Sequence, residues 1–241
     1  ECAKHFPVPL RYLTEGRVGK PYALNAALRE ARGEFFAFTD DDILTTPTWL
    51  AALWRCFREE QADGIGGLIM PLWLAPPPPW LTVETARRFG GFGILDRGRQ
   101  RLWRRQGQSC YWSGGNMAVR RSVVDRVGPF DTSLVFLQDI EYYERCVRYD
   151  LNVVYEPAAR VYHQVGPERM TARYLRWRRI RNGRYRAYCW PWTGALSVTL
   201  MPTHWYRQTL RALGRWLLAC VTRRPFVERF HCELIVLEHA S

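Results

Sequence analysis

Apolar positions along this chain alternate between two periods. Val8–Leu13 alternates enough for a short strand, and a glycine-rich turn, GRVGK, follows it. Ala23, Leu24, Ala27, Leu28 and Ala31 then recur at helical spacing, and Gly33 is suited to close that helix. FFAFT (35–39) predicts a buried strand running into Asp40, Asp41 and Asp42, after which a helix is expected from about Pro47 to Glu60. DGIGGLIMPL (63–72) predicts a strand with embedded glycines, and APPPPW (75–80) a rigid loop. The polar, Gly/Arg-rich stretch 81–108 shows no clear period. Beyond it, SCYWSGGNMAVRRSVVDRVGPFD predicts strand, glycine turn, strand and a short helix from about Ser122. A helix over IEYYERCVRYD leads to two extended segments, NVVYEP and ARVYHQV. Strands alternating with helices predict an α/β layered fold with a mostly parallel sheet over residues 1–190.

Past Pro191 the pattern changes. In HWYRQTLRALGRWLLACV, Tyr206, Leu210, Leu213, Leu217 and Val221 share one helical face, with Arg207, Arg211 and Arg215 in a stripe beside it. Residues 191–241 therefore form a basic amphipathic helical extension. Trp205 and Trp216 add the composition of a helix lying at a membrane surface, although packing on its own domain would use the same pattern.

Charge sharpens this division. The formal net charge is +12 over 241 residues, and residues 160–241 hold 15 arginines against 4 glutamates. A basic third of this kind suits a polyanion such as phosphate, nucleic acid or an anionic membrane face, or else a solvated basic surface. The seven cysteines are scattered and form no CxxC pair, which argues against a zinc site or a disulfide scaffold and favours a reducing compartment. No apolar run approaches the roughly 18–20 residues that a spanning helix needs.

Four clusters could carry chemistry. Asp40, Asp41 and Asp42 crowd the carboxyl end of a strand, where ligands collect in open α/β sheets. Asp40 and Asp42, as alternate residues, could present hard oxygen ligands to Mg²⁺ or Mn²⁺ carrying a diphosphate; an acidic turn capping the next helix is the simpler alternative. Asp139, in FLQDIEYYERC, stands where a helix begins, either as a cap or as a base for an incoming hydroxyl. Trp112, Gly114, Gly115 and Asn116 offer an aromatic, flexible glycines and an amide, suited to stacking and hydrogen-bonding a sugar or to a tight turn. His163 ends an extended segment ahead of a run of arginines.

In this order, GRVGKPYALNAALREARGEFFAFTDDD, SGGNMAVRRSVVDRVGPFD, QDIEYYERCVRYDLNVVYEPAARVYH and YLRWRRIRNGR resemble the inverting glycosyltransferases of family 2, with the GT-A nucleotide-diphospho-sugar transferase fold. The resemblance implies Asp40 and Asp42 as the outer pair of a DxD motif, with Asp42 on a Mg²⁺ or Mn²⁺ ion and Asp40 on the ion or the ribose. It implies Lys20, Asn25 and Asp41 beside the nucleotide-sugar donor, Trp112, Gly114, Gly115 and Asn116 beside the acceptor, His163 near the metal or diphosphate, and Asp139 as catalytic base. The expected reaction transfers one sugar, with inversion, to a hydroxyl of a saccharide or lipid-linked acceptor in cell-envelope or polysaccharide biosynthesis.

The chain departs from the family pattern in three places. Gln138 replaces the glutamate of the ED motif, and Arg173 replaces the glutamine of QxxRW, which favours single transfer over processive synthesis. The family's first strand–helix–strand unit, with its base-binding aspartate, has no counterpart at the front, so a truncated domain with weak donor binding is expected. The basic extension implies a cytoplasmic enzyme, peripheral on the inner face of the plasma membrane through anionic lipid, with no nucleic-acid partner. Two rival readings use the same residues: a metal-dependent phosphotransferase or nuclease, and a catalytically impaired carbohydrate- or membrane-binding fragment of this fold.

Overall fold

The computed structural model describes residues 8–108, 110–134, 136–189 and 203–239. Val8–Leu13 is irregular there, and the first regular element is helix α1 (Lys20–Glu30), whose Leu24 and Leu28 pack on the main core. The chain continues through β1 (Phe35–Thr39), β2 (Ile43–Thr45), α2 (Trp49–Glu60), β3 (Gly64–Trp73) and α3 (Val83–Phe89). Next come β4 (Leu102–Trp103), β5 (Asn116–Arg120), α4 (Arg121–Val127), α5 (Gln138–Arg148) and β6 (Val153–Val165). Three helices end it: α6 (Ala172–Cys189), α7 (Thr203–Val221) and α8 (Phe226–His239).

The α/β class is as expected, but the sheet is mixed. Its order is β1-β5-β3-β6-β2, with β4 on the side of β6, and β3–β6 is the parallel pair among its ladders. β1, β3 and β6 do run in one direction, as alternating strands and helices predict. β5 enters the sheet antiparallel between β1 and β3, and β2 folds back against β6. Periodicity predicts strands; it carries no information about which neighbour each strand chooses. NVVYEP and ARVYHQV join into the single strand β6, accommodated by a register shift opposite Gly67 and Leu68.

The glycines of β3 make room for what crosses the sheet. A Cβ on Gly64 or Gly66 would run into Trp112, and one on Gly67 into the Asn116 amide and the Ala159 carbonyl. The main core lies between the sheet and α2, α4 and α5, around Phe57, Ile65, Trp112, Met117, Tyr142 and Tyr155. A second core joins α3, the end of β6, α6 and α8 through Leu81, Phe89, Phe92, Leu175, Phe230 and Leu234. Arg176–Glu233 and Arg179–Glu238 ion pairs tie α6 to α8. The expected boundary near residue 190 falls outside the described residues, yet α8 shares a core with α3 and α6.

Candidate active site

Strand register builds the acidic corner. β1 pairs with β5 so that Thr39 faces Asn116, which sets Asp40 beside the glycine turn that precedes β5. A Cβ on Gly115 would stand 3.4 Å from Asp40 Oδ2. β2 pairs with β6 so that Ile43 faces His163, which brings the imidazole to Asp42. The two outer aspartates thereby engage different cations. Asp40 pairs with Lys20, from the first turn of α1, and Asp42 Oδ2 lies 3.1 Å from His163 Nε2 and 3.4 Å from Arg169. Asp41 is exposed in the turn between them.

Asp139 occupies the first turn of α5, after Leu137 in the left-handed region (φ 60°). Its Oδ2 accepts a hydrogen bond from the Gly114 N–H at 2.8 Å, and its Oδ1 accepts from Ile140 N at 3.0 Å. Gly114 borders Lys20 as well: a Cβ there would lie 3.3 Å from Lys20 Nζ and 3.5 Å from Asp139 Oδ2. One glycine thus separates the ammonium that holds Asp40 from the carboxylate of α5. That geometry joins two clusters about a hundred residues apart in the chain.

Three of the expected contacts fall elsewhere. Asn25 does not face the donor corner; its side chain donates to the Phe130 carbonyl at 2.8 Å and accepts from Phe130 N–H at 2.9 Å, clamping α1 to the loop before α5. Asn116 is fully buried and cannot reach an acceptor hydroxyl. Its Nδ2 donates to the Leu68 and Ala159 carbonyls and its Oδ1 accepts from Trp49 Nε1, which uses the whole amide. Trp112 is likewise fully buried, tilted against Tyr142 and edge-on to Tyr143, and donates through Nε1 to the Asp139 carbonyl at 2.9 Å. It positions α5 and offers no face to a sugar.

Arg169 was not among the expected residues; its signal is its place six positions after His163, in the turn that closes β6. The corner it completes contains a conflict. His163 Nε2 lies 3.1 Å from both Asp42 Oδ2 and Arg169 Nη1, yet one ring nitrogen cannot donate to the carboxylate and accept from the guanidinium at once. A carboxylate and an imidazole converging on one point suit a divalent cation. Among the described residues no three His, Cys, Asp or Glu side chains form a ready ligand set, so substrate oxygens would complete the coordination. Cys56 and Cys146 are buried in the main core, and burial pushes their thiols up to about 12.

This α/β fold, a mixed sheet flanked by helices with an acidic strand end beside a glycine turn, is of the GT-A type. The family description "Glycosyltransferase like family 2" matches residues 1–186, and the chain belongs to that family. Among curated proteins none matches the chain. Among solved structures, a mannosyltransferase, PcManGT from Pyrobaculum calidifontis in complex with GDP-Man and Mn2+, is 17% identical at TM-score 0.54 and is similar over 99% of this chain and 58% of its own. GalNAc-T7 with UDP, GalNAc and Mn2+ is 16% identical at TM-score 0.48, over 73% of this chain and 38% of its own. S. aureus TarS is 18% identical at TM-score 0.37, over 68% and 27%. The chain therefore spans less than two thirds of each of these proteins.

Proposed function

We propose that the chain carries the catalytic corner of an inverting glycosyltransferase using a nucleotide-diphospho-sugar and a divalent cation, Mg²⁺ or Mn²⁺. The observation that carries this reading is the Gly114 turn, which sets Asp139 and the Lys20–Asp40 pair on either side of one backbone position. Asp139 takes the proton from the acceptor hydroxyl, and the freed oxygen attacks the anomeric carbon from the face opposite the leaving group. Lys20 and Arg169 balance the charge that grows on the departing nucleoside diphosphate. Asp42 and His163, with Asp40 nearby, would hold the cation, which supplies Lewis-acid stabilisation to the leaving phosphate. Family membership and the Mn2+ complex of the similar mannosyltransferase support this assignment.

The test is turnover on a panel of nucleotide-sugars with saccharide and lipid-linked acceptors. Asp139→Asn should slow transfer by about 10²–10⁴-fold while retaining binding of nucleoside diphosphate with Mn2+; transfer at an undiminished rate in that variant would remove Asp139 as the base. Nuclease activity dependent on Asp42 would instead favour the phosphotransferase reading.

The acceptor is proposed to be a lipid-linked or nascent envelope saccharide met at the cytoplasmic face of an anionic membrane. Support comes from α7, whose Ala212 and Ala219 pack inward while Leu210, Leu217, Leu218 and Val221 are 67, 51, 61 and 81% exposed, among exposed Arg207, Arg211 and Arg215. No helix among the described residues is long and apolar enough to cross a membrane. A helix apolar and basic on one outward face suits the plane of the interface.

A further inference from the structure

Of the seven arginines in helix α6, Arg176, Arg178, Arg179 and Arg181 divide into two pairs. Arg176 and Arg179 turn to α8 and are neutralised by Glu233 and Glu238. Arg178 and Arg181 have no carboxylate in ion-pair range among the described residues. Both guanidinium groups lie over the ring of Phe136, 4.3 and 4.6 Å from its centroid, in the loop that enters α5 three residues before Asp139. Arg178 Nε is buried with no hydrogen-bond partner. Burial lowers the pKa of Arg178 from its ordinary value, and repulsion from Arg181 and Arg169 acts in the same direction, against Tyr174 and Asp139. A guanidinium with no ion-pair partner, crowded by two others, is an arrangement that an anion would relieve. Its planar fork matches phosphate oxygens in a bidentate manner.

Contacts, not distance, distinguish this pair from the donor corner, since Arg178 still feels the charge of Arg169. Lys20 and Arg169 already serve Asp40 and Asp42, whereas Arg178 and Arg181 stand against the segment that presents Asp139. We propose that Arg178 and Arg181 form an anion subsite on the acceptor side, taking a phosphate group of the molecule whose hydroxyl is glycosylated. This rests on reading Asp139 as the base. The phosphate could come from a lipid-linked acceptor or from a phosphorylated saccharide, and both present the same group to the arginines.

Isothermal titration of the full chain distinguishes the cases. Octyl phosphate and glycerol 3-phosphate represent the two sources, with octanol and glycerol as neutral controls and UDP or GDP with Mn2+ as probes of the donor corner. At least one phosphate probe should bind at least tenfold more tightly than its neutral control, and the one that does identifies the source. Arg178→Gln and Arg181→Gln should each remove that preference while changing nucleoside-diphosphate affinity less than twofold. Arg178→Lys, which keeps charge and stem, should retain part of it and serves as the check should Arg178→Gln fail to fold. Equal affinity for phosphate and neutral probes in the unaltered chain would overturn the proposal, as would a loss that falls on UDP or GDP instead. Failure of UDP and GDP to bind the unaltered chain would count against the donor reading alone, because the octyl phosphate comparison is scored independently.

Discussion

At the residue scale, Gly114 has the most demanding position. Its N–H supports Asp139, and the space its missing side chain leaves is bordered by Lys20 and Asp139. Gly114→Ala should preserve the fold and lower kcat, because a methyl group must push the ammonium or the carboxylate aside; circular dichroism and turnover together check it. Asp139→Asn should cost about 10²–10⁴ in kcat, the range for losing a positioned base. Asn25→Ala should instead be a stability variant. It leaves both polar groups of the buried Phe130 peptide positions unpaired and should cost roughly 2–6 kcal/mol in chemical denaturation, given about 1–3 kcal/mol per unsatisfied group. The structure sets Asp42 beside His163 and places Asp40 and Asp139 on either side of the Gly114–Gly115 turn, and this clustering was legible because these groups stand at strand ends and a helix start. Asn25, Trp112 and Asn116 were not, because an amide or indole within a motif has the same letter whether it faces a ligand or fastens two backbones. Burial distinguishes the two, and burial is a property of the whole fold.

At the element scale, β1, α2, β3 and α5 follow the apolar period closely, since each supplies one face to a core large enough to dictate it. α3 and β4 escaped detection. The first is a seven-residue helix started by the Thr82–Thr85 capping box, and the second is two residues held by Tyr155 and Val154 across the sheet, so neither has a period to read. Contacts made at a distance decide them. The docking of α8 has a pH signature of the same distant origin. His231 is half-buried near Phe89, and burial lowers its pKa to about 4, with Arg88 and Arg179 adding repulsion against its charged form. The folded state therefore favours the neutral ring. Its contribution to stability is complete above the unfolded value of about 6.5 and is lost as pH falls through about 4. Thermal melts of the unaltered chain should lose more stability between pH 6.5 and 4 than those of His231→Phe. Parallel profiles would show that His231 is not the group that titrates.

At the scale of the whole molecule, α6 and α8 link the acidic corner to the basic face of α7. α6 leaves the acidic corner, its Arg176 and Arg179 secure α8, and α7 packs on α8 with its leucines and arginines outward. Because Phe230 and Leu234 complete the second core, removing residues 191–241 would expose that core and confuse loss of fold with loss of binding. Point changes on the outer face of α7 are the cleaner probe. Each arginine near an anionic bilayer contributes about 1 kcal/mol, so replacing Arg207, Arg211 and Arg215 with glutamine should weaken binding roughly 100-fold on vesicles rich in phosphatidylserine. Leu210→Ser with Leu217→Ser should weaken it by a term that salt does not screen, since buried apolar area carries no charge. Co-sedimentation at low and high salt separates the two contributions: the unaltered chain and the serine variant should both release as salt rises, and the glutamine variant should be insensitive to it. Equal binding to neutral and anionic vesicles would leave the arginine stripe as solvated surface, and binding to neither would remove the membrane from the proposed site of action.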